Sequence, residues 1–313
     1  MNSFGRRTFL KQAALTASGA AALATAAEAE TRPLLPTIKL GGHSVSRLIM
    51  GGNPIYGHGH FNHLLSQHLT AWHTPERVLE MLQRAQEAGI NTWQNSYAER
   101  TLQDLDRYRA AGGTMHWLCL GKPDWDQHPE RIEAAARRKP IGIAPHGALA
   151  ERLHRQGALN VLTDLLKRIR DQGVLVGLSA HNPALVELAE EKSWDVDYYM
   201  CCLYYLTRPR GEFQQLLGKD LPLGEIYLPS DPPRMFKAVQ ATRRPCLVFK
   251  VLAAGRRIGS PAEVRSCFAA ALASIKPTDA MIVGMYQQFG DQIGANAALV
   301  RELCRQARPG PSG

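Results

Sequence analysis

Among its six cysteines the chain has no CxxC pair and no finger-like Cys/His spacing, and no apolar run is followed by a G-x-G-x-x-G turn. Outside residues 1–29 no apolar run approaches the ~18 residues of a membrane span. These absences exclude a structural zinc module, a CxxC redox centre, an open dinucleotide sheet with its usual turn, and stable membrane insertion of the mature chain. Cys119, Cys201, Cys202 and Cys246 sit inside apolar runs and read as core thiols, although in an oxidising compartment the adjacent Cys201 and Cys202 can pair with other thiols. The basic excess, +9 formal with a pI near 9.4, is scattered in short pairs such as Arg137-Arg138, Arg243-Arg244 and Arg256-Arg257. That pattern suits anionic ligands and a solvated surface, and no nucleic-acid partner is expected.

What is present begins with a leader. Residues 5–11 read G-R-R-T-F-L-K, an Ala-rich run follows to Ala27, and Ala27-Glu28-Ala29 forms an A-x-A site. This resembles a bacterial twin-arginine signal peptide over residues 1–29, which implies recognition by the twin-arginine translocation machinery, cleavage after Ala29 and a periplasmic or secreted product. Without the leader's cations Arg6, Arg7 and Lys11 and its acid Glu28, the formal charge falls to about +7. Residues 307–313 read as a flexible C-terminal tail.

With 45% hydrophobic residues the remainder can bury one large core. It alternates short apolar runs with helix-patterned segments. The runs are 47–52, 90–96, WLCLGKP ending in Lys122, PIGIAPHG with His146, VLVGLSAHN with His181 and Asn182, 197–205, 246–252 with Lys250, and 280–285. The intervening segments carry helix starts such as Thr74-Pro75-Glu76 and Asn182-Pro183, and the stretch 148–172 reads as one helix. A long His-rich loop follows the first strand, and a Pro- and Gly-rich insertion at 208–229 reads as a lid. Eight strand–helix units in strict alternation predict a single α/β (β/α)8 TIM barrel over residues 36–306, preceded by a short N-terminal hairpin and the signal peptide. The strand C-termini would then share one cup.

Several segments resemble the aldo-keto reductase superfamily over most of the mature chain: LGGHSVSRLIMGG its opening hairpin and first strand, AGINTWQNSYAERTL its A-G-I-N-x-x-D-T-A segment, VLVGLSAHNPALVELA its fifth strand and helix, and MIVGMYQQFGDQIGANAALV its last strand and phosphate-binding helix. A closer likeness is to exported barrel proteins with a degenerate reductase tetrad, which carry GGN, H-T-x-E-x-V, K-V-L-A-A-G and V-G-M at the corresponding places. The resemblance implies Lys122 and His146 at the family's Lys and His positions and Tyr97 as the Tyr, with Gln94 standing where the family has Asp. In that reading Tyr97 donates a proton, Lys122 lowers its pKa and His146 orients the carbonyl. It also implies NADP near Gly284, Met285 and Gln287, although Met285-Tyr286-Gln287-Gln288 holds no cation for a 2′-phosphate.

The residues alone support further chemistry. Lys122 and Lys250 at strand ends can lower each other's pKa for proton abstraction or Schiff-base formation, and His146 and His181 suit acid–base work near neutral pH. Asn53, Gln94, Asn182 and Tyr205 are candidates for orienting a small-molecule substrate. The cluster His58, His60, His63, His68 and His73 is dense enough for a metal but matches no ligand motif, so it reads as a solvated or lid-forming loop and no metal ligand is assigned. Three functions follow: an oxidoreductase acting on the carbonyl or hydroxyl of a small polyol or sugar-like metabolite, a cofactor-free or metal-assisted lyase, isomerase or hydrolase on keto-sugars, and a non-catalytic solute-binding barrel.

Overall fold

A computed structural model describes residues 35–306. The expected leader at 1–29 and tail at 307–313 lie outside the described residues. Eight parallel strands close into a barrel: β3 (Leu48–Gly51), β4 (Thr92–Ser96), β5 (His116–Leu120), β6 (Gly142–Ala144), β7 (Leu175–Ala180), β8 (Tyr198–Cys202), β9 (Cys246–Phe249) and β10 (Ala280–Gly284), with β10 pairing β3 to finish the circle. The expected TIM barrel is therefore observed.

The strands are short and, apart from β4 with its T-W-Q-N-S, mostly apolar because both faces are buried. Alternate residues face the helices, as do Met50, Trp93, Trp117, Cys119, Val176 and Val248, or the interior, as do Ile49, Leu118, Met200, Leu247 and Ile282. Tyr198 fills the interior because its neighbours are small: a methyl group on Gly142 or Gly177 would come within 2.8 or 2.4 Å of its ring. The antiparallel hairpin of β1 (Thr37–Leu40) and β2 (His43–Ser46) adds Ile38, Leu40 and Val45 to that cluster, beside Ile141 and Ala280 where strands begin. The N-terminal end of the barrel is thus sealed, and the C-terminal end is left for ligands.

Helix starts follow the caps legible in the sequence. Thr74 caps α2 (Pro75–Glu87) and Asn182 caps α7 (Pro183–Glu191), each with Pro at the first position. Two expectations need correction, and a third gains detail. Part of the His-rich loop is helical, α1 (His63–Trp72), because Asn62 accepts the N–H of Leu65 and starts it. The expected helix 148–172 is two, α5 (Gly147–Arg155) and α6 (Leu159–Arg170), since Gly157 takes a positive φ of 69° that ends the first. The insertion at 208–229 contains α8 (Arg210–Leu217), fastened where Arg208 pairs with Asp231 out of water. The remaining helices are α3 (Glu99–Ala110), α4 (Arg131–Ala136), α9 (Asp231–Ala241), α10 (Pro261–Ser274) and α11 (Gln292–Gln306). No described helix is long and apolar enough to cross a membrane.

Candidate active site

Outside the His-rich segment, the polar residues singled out above sit at or near the C-terminal ends of strands, and the structure divides most of them between two sides of one mouth. On the side of β3, β9 and β10 opens a cavity of about 1220 Å³, whose lining includes Asn53, His58, His60, Gln94, Lys250 and Gly284. On the side of β4 to β8 stand Tyr97, Lys122, His146, His181, Asn182 and Tyr205, outside that lining. The two sides communicate electrically: Lys122 and Lys250 both act on His58, while His58 and Lys250 both act on His146.

Lys250 follows directly on β9, in left-handed backbone with φ of 63°. Its Nζ is buried without a hydrogen-bond partner, and burial lowers the ammonium's pKa. Cys202 and Glu225 oppose that shift and Arg256 adds to it. The expected mutual effect of two lysines is corrected here, since Arg256, rather than Lys122, is the like charge beside Lys250. Positive φ at a non-glycine residue costs of order 1–3 kcal/mol, and of the six such residues among the described ones, three, His60, Lys250 and Ala254, line this one cavity. Strain concentrated at one wall marks it as a place where geometry outranks local stability.

Asn53 and His60, in the same lining, begin a chain of polar groups that ends on Glu225 and Tyr227 behind it. Asn53 Nδ2 donates to His60 Nε2 at 3.1 Å, and His60 Nδ1 donates to Glu225 Oε1 at 2.8 Å. These partners assign the His60 tautomer, with its proton on Nδ1. Tyr227 donates to the other Glu225 oxygen at 3.0 Å. Burial alone would raise the Glu225 pKa, but His60 and Lys250 outweigh it and hold the carboxyl below its ordinary range. A base held by a carboxylate, in a cavity shared with an amine whose ammonium form burial disfavours, can move protons on a carbonyl compound.

The second side is built on Glu151, a buried carboxylate on α5. It accepts the backbone N–H of His181 at 2.5 Å and of Asn182 at 2.7 Å, together with the Thr207 hydroxyl, and lies 3.6 Å from His181 Nδ1, a charge-pair rather than hydrogen-bond distance. His181 comes this close to α5 because residue 147 is glycine; a methyl there would sit 2.9 Å from the imidazole. The rings of His146 and His181 are 6.4 Å apart, and His181 packs at 6.0 Å against Phe249 on the cavity wall. His146 Nδ1 accepts the Ala148 N–H at 3.1 Å, so the neutral ring carries its proton on Nε2, and burial, followed by His181, pushes its pKa down to about 4. At neutral pH it is an uncharged donor.

The other expected residues serve mainly in packing or capping. Tyr97 packs against Trp125, and Gln94 is buried on β4 with its side chain in the cavity lining. Asn182 caps α7 and donates to the Tyr205 hydroxyl at 3.1 Å. Met285 is buried in the core, and Gln287 is occupied by the start of α11, accepting from Ile293 N and donating to Asp291. The His-rich segment disperses. His68 meets Tyr286 and Gln288, His73 is buried against the Leu69 carbonyl, and among the described residues no three His, Cys, Asp or Glu side chains gather as a ligand set. All six cysteines are unpaired and buried. Sequence reasoning missed Glu151 and Glu225. The first offered only a weak signal, an acid inside the Leu149–Leu153 apolar face of a helix, and the second offered none.

No family model matches this sequence, and no curated protein matches it. Solved structures do. A truncated form of 3-deoxy-D-arabino-heptulosonate 7-phosphate synthase from Thermotoga maritima matches at 16% identity over 89% of this chain and 94% of its own, with a TM-score of 0.52. A glycerol dehydrogenase from Gluconobacter oxydans matches at 11% identity over 89% and 98%, TM-score 0.49, and a dihydropteroate synthase from Xanthomonas albilineans at 13% over 88% and 99%, TM-score 0.46. At such identities the likeness is one of fold, and the chemistry must be read from the site itself.

Proposed function

We propose that this barrel is a Schiff-base enzyme, a lyase or isomerase acting on a carbonyl compound, with Lys250 as the amine. The observation that carries the reading is the buried, unpartnered Nζ of Lys250, set on strained backbone at the wall of the cavity. A lysine in water is protonated and inert as a nucleophile, and desolvation is the means by which proteins free its lone pair. The neutral amine adds to the carbonyl carbon, the oxygen takes up a proton, and water leaves to give the protonated imine, which withdraws electrons from the neighbouring carbon. Once the substrate displaces the Asn53 amide from its Nε2, His60, braced by Glu225, removes a proton from that carbon or from a hydroxyl on the next one, giving isomerisation or carbon–carbon cleavage respectively. Hydrolysis of the imine releases the product and restores Lys250. His146, with its proton on Nε2, is a neutral donor on the opposite side of the mouth.

The test is reductive trapping. With nonan-2-one or dihydroxyacetone and sodium borohydride, the imine becomes a secondary amine and the Lys250 peptide gains the corresponding mass, while Lys250→Met loses that label. Label absent from wild type, or retained undiminished in Lys250→Met, removes the proposal. The oxidoreductase reading keeps one supporting feature, a cavity that runs on past Gly284 between α10 and α11. NADPH titration followed by tryptophan fluorescence decides it, and no change at millimolar cofactor sets it aside.

A further inference from the structure

The outer part of the cavity differs from the part around Lys250. It runs between the first turns of α10 and α11 and is walled by Leu252, Val264, Leu299 and the stems of neighbouring residues. At its rim stand Phe61, Ile258 and Phe289, three of the seven large apolar side chains exposed among the described residues, with Phe289 81% exposed. Apolar surface that a soluble protein leaves uncovered beside a cleft marks a surface meant for a ligand.

An anionic occupant is disfavoured by what already sits there. Helix N-termini bind phosphates through free N–H groups and the positive end of the dipole. At α10, Ser260 accepts the N–H of Glu263, and the Glu263 carboxylate accepts the N–H of Gly259 at 3.0 Å. At α11, the Asp291 carboxylate accepts the N–H of Gly294 at 2.9 Å, and Gln287 takes that of Ile293. Each helix start is thus occupied by a carboxylate of this chain. Of the cations in the lining, Arg265 is spent on Glu302 through two bonds of 2.8 and 2.7 Å, and Arg256 is held by the Ala253 and His60 carbonyls and lies over the Tyr227 ring at 3.9 Å. The residues present do not fit the pyrophosphate and 2′-phosphate of a nicotinamide dinucleotide.

We infer that the outer cavity holds the apolar tail of the substrate, so that the compound reaching Lys250 is an amphipathic aldehyde or ketone with a long hydrocarbon chain rather than a small polyol or sugar. The inference rests on the Schiff-base reading for the position of the carbonyl, and on the wall of the cavity for the tail. The polar end, with Lys250, His60 and Asn53, receives the carbonyl, and the chain runs outward past Leu252 to the rim. Volume agrees: about 1220 Å³ exceeds the roughly 300–1,000 Å³ of clefts for drug-sized ligands, and a sugar would leave most of the apolar wall wetted.

The experiment is calorimetric titration of the full chain with methyl ketones from butan-2-one to nonan-2-one. Each methylene buried in the groove is expected to raise affinity about three- to fourfold. Ile258→Ser and Phe289→Ser, both at exposed positions, are expected to flatten that slope. Lys250→Met is expected to keep the slope while losing the borohydride label, so the tail site and the imine chemistry fail or stand separately. Affinity independent of chain length overturns the inference, as does a slope unchanged in both rim variants. Micromolar binding of NADPH that excludes nonan-2-one also overturns it, by assigning the groove to a dinucleotide.

Discussion

Glu151 offers the sharpest test of how this mouth is held together, because one carboxylate on α5 holds two separate pieces of chain. It is 1% exposed and accepts the N–H groups of His181 and Asn182 beyond β7 and the hydroxyl of Thr207 beyond β8. Burial alone would raise its pKa, but His181, Thr207 and Asn182 outweigh burial and keep it ionised below the ordinary carboxylate range. Hydrogen bonds to a charged acceptor contribute about 1.5–3 kcal/mol and neutral ones about 0.5–1.5, so Glu151→Gln forfeits about 1 kcal/mol at each of three bonds. Relief of the buried charge offsets part of that loss, leaving a net cost of about 1–2 kcal/mol. Glu151→Ala also strands two buried N–H groups at about 1–3 kcal/mol each, for a total of about 3–5 kcal/mol. At roughly 2–4 °C per kcal/mol for a barrel of this size, thermal unfolding followed by circular dichroism should show the alanine variant melting about 10 °C low and the glutamine variant less than half as far. An alanine variant within a degree or two of wild type, or a glutamine variant as damaged as alanine, would refute the account of Glu151 as the tie of this side.

Acid sensitivity follows from two histidines. Burial, as the largest cause, lowers both His73 and His146 to about 4 from the ordinary 6.5, so the unfolded chain takes up protons first as pH falls. Stability is therefore complete above about pH 6.5, declines through the window down to pH 4, and levels off for these two groups below it, each costing up to about 3 kcal/mol. Urea titrations at pH 7, 5.5 and 4.5 check this, and His73→Gln should flatten the slope. The insertion should come loose in Asp231→Ala. That change leaves the Arg208 guanidinium, 6% exposed, with only the more distant Glu212 at 3.9 Å, at a cost of about 2–4 kcal/mol, and limited proteolysis should then cut within 210–229 at lower protease than in wild type.

How much of this was legible beforehand differs by level. The barrel could be read because its determinants are local: most strands are runs of apolar residues that need burial on both faces, and several helix starts are written in two or three residues, as at Thr74-Pro75 and Asn182-Pro183. Where local signals misled, a single residue decided, Asn62 starting α1 inside an expected loop and Gly157 cutting an expected helix in two.

Lys250, His146 and His181 could be nominated because strand C-termini share one end of such a barrel, whatever the side chains are. Their states could not. That Lys250 is buried without a partner, that His60 is held by Glu225 from 165 residues away, and that Glu151 reaches His181 across 30 residues are facts of the folded chain alone. An acid in an amphipathic helix or a surface insertion carries the same sequence signal whether it faces water or an imidazole. The physical reason is one of range: secondary structure is set by neighbours along the chain, whereas desolvation and charge pairing act through space and take their value only once the tertiary packing has chosen what stands within a few ångströms.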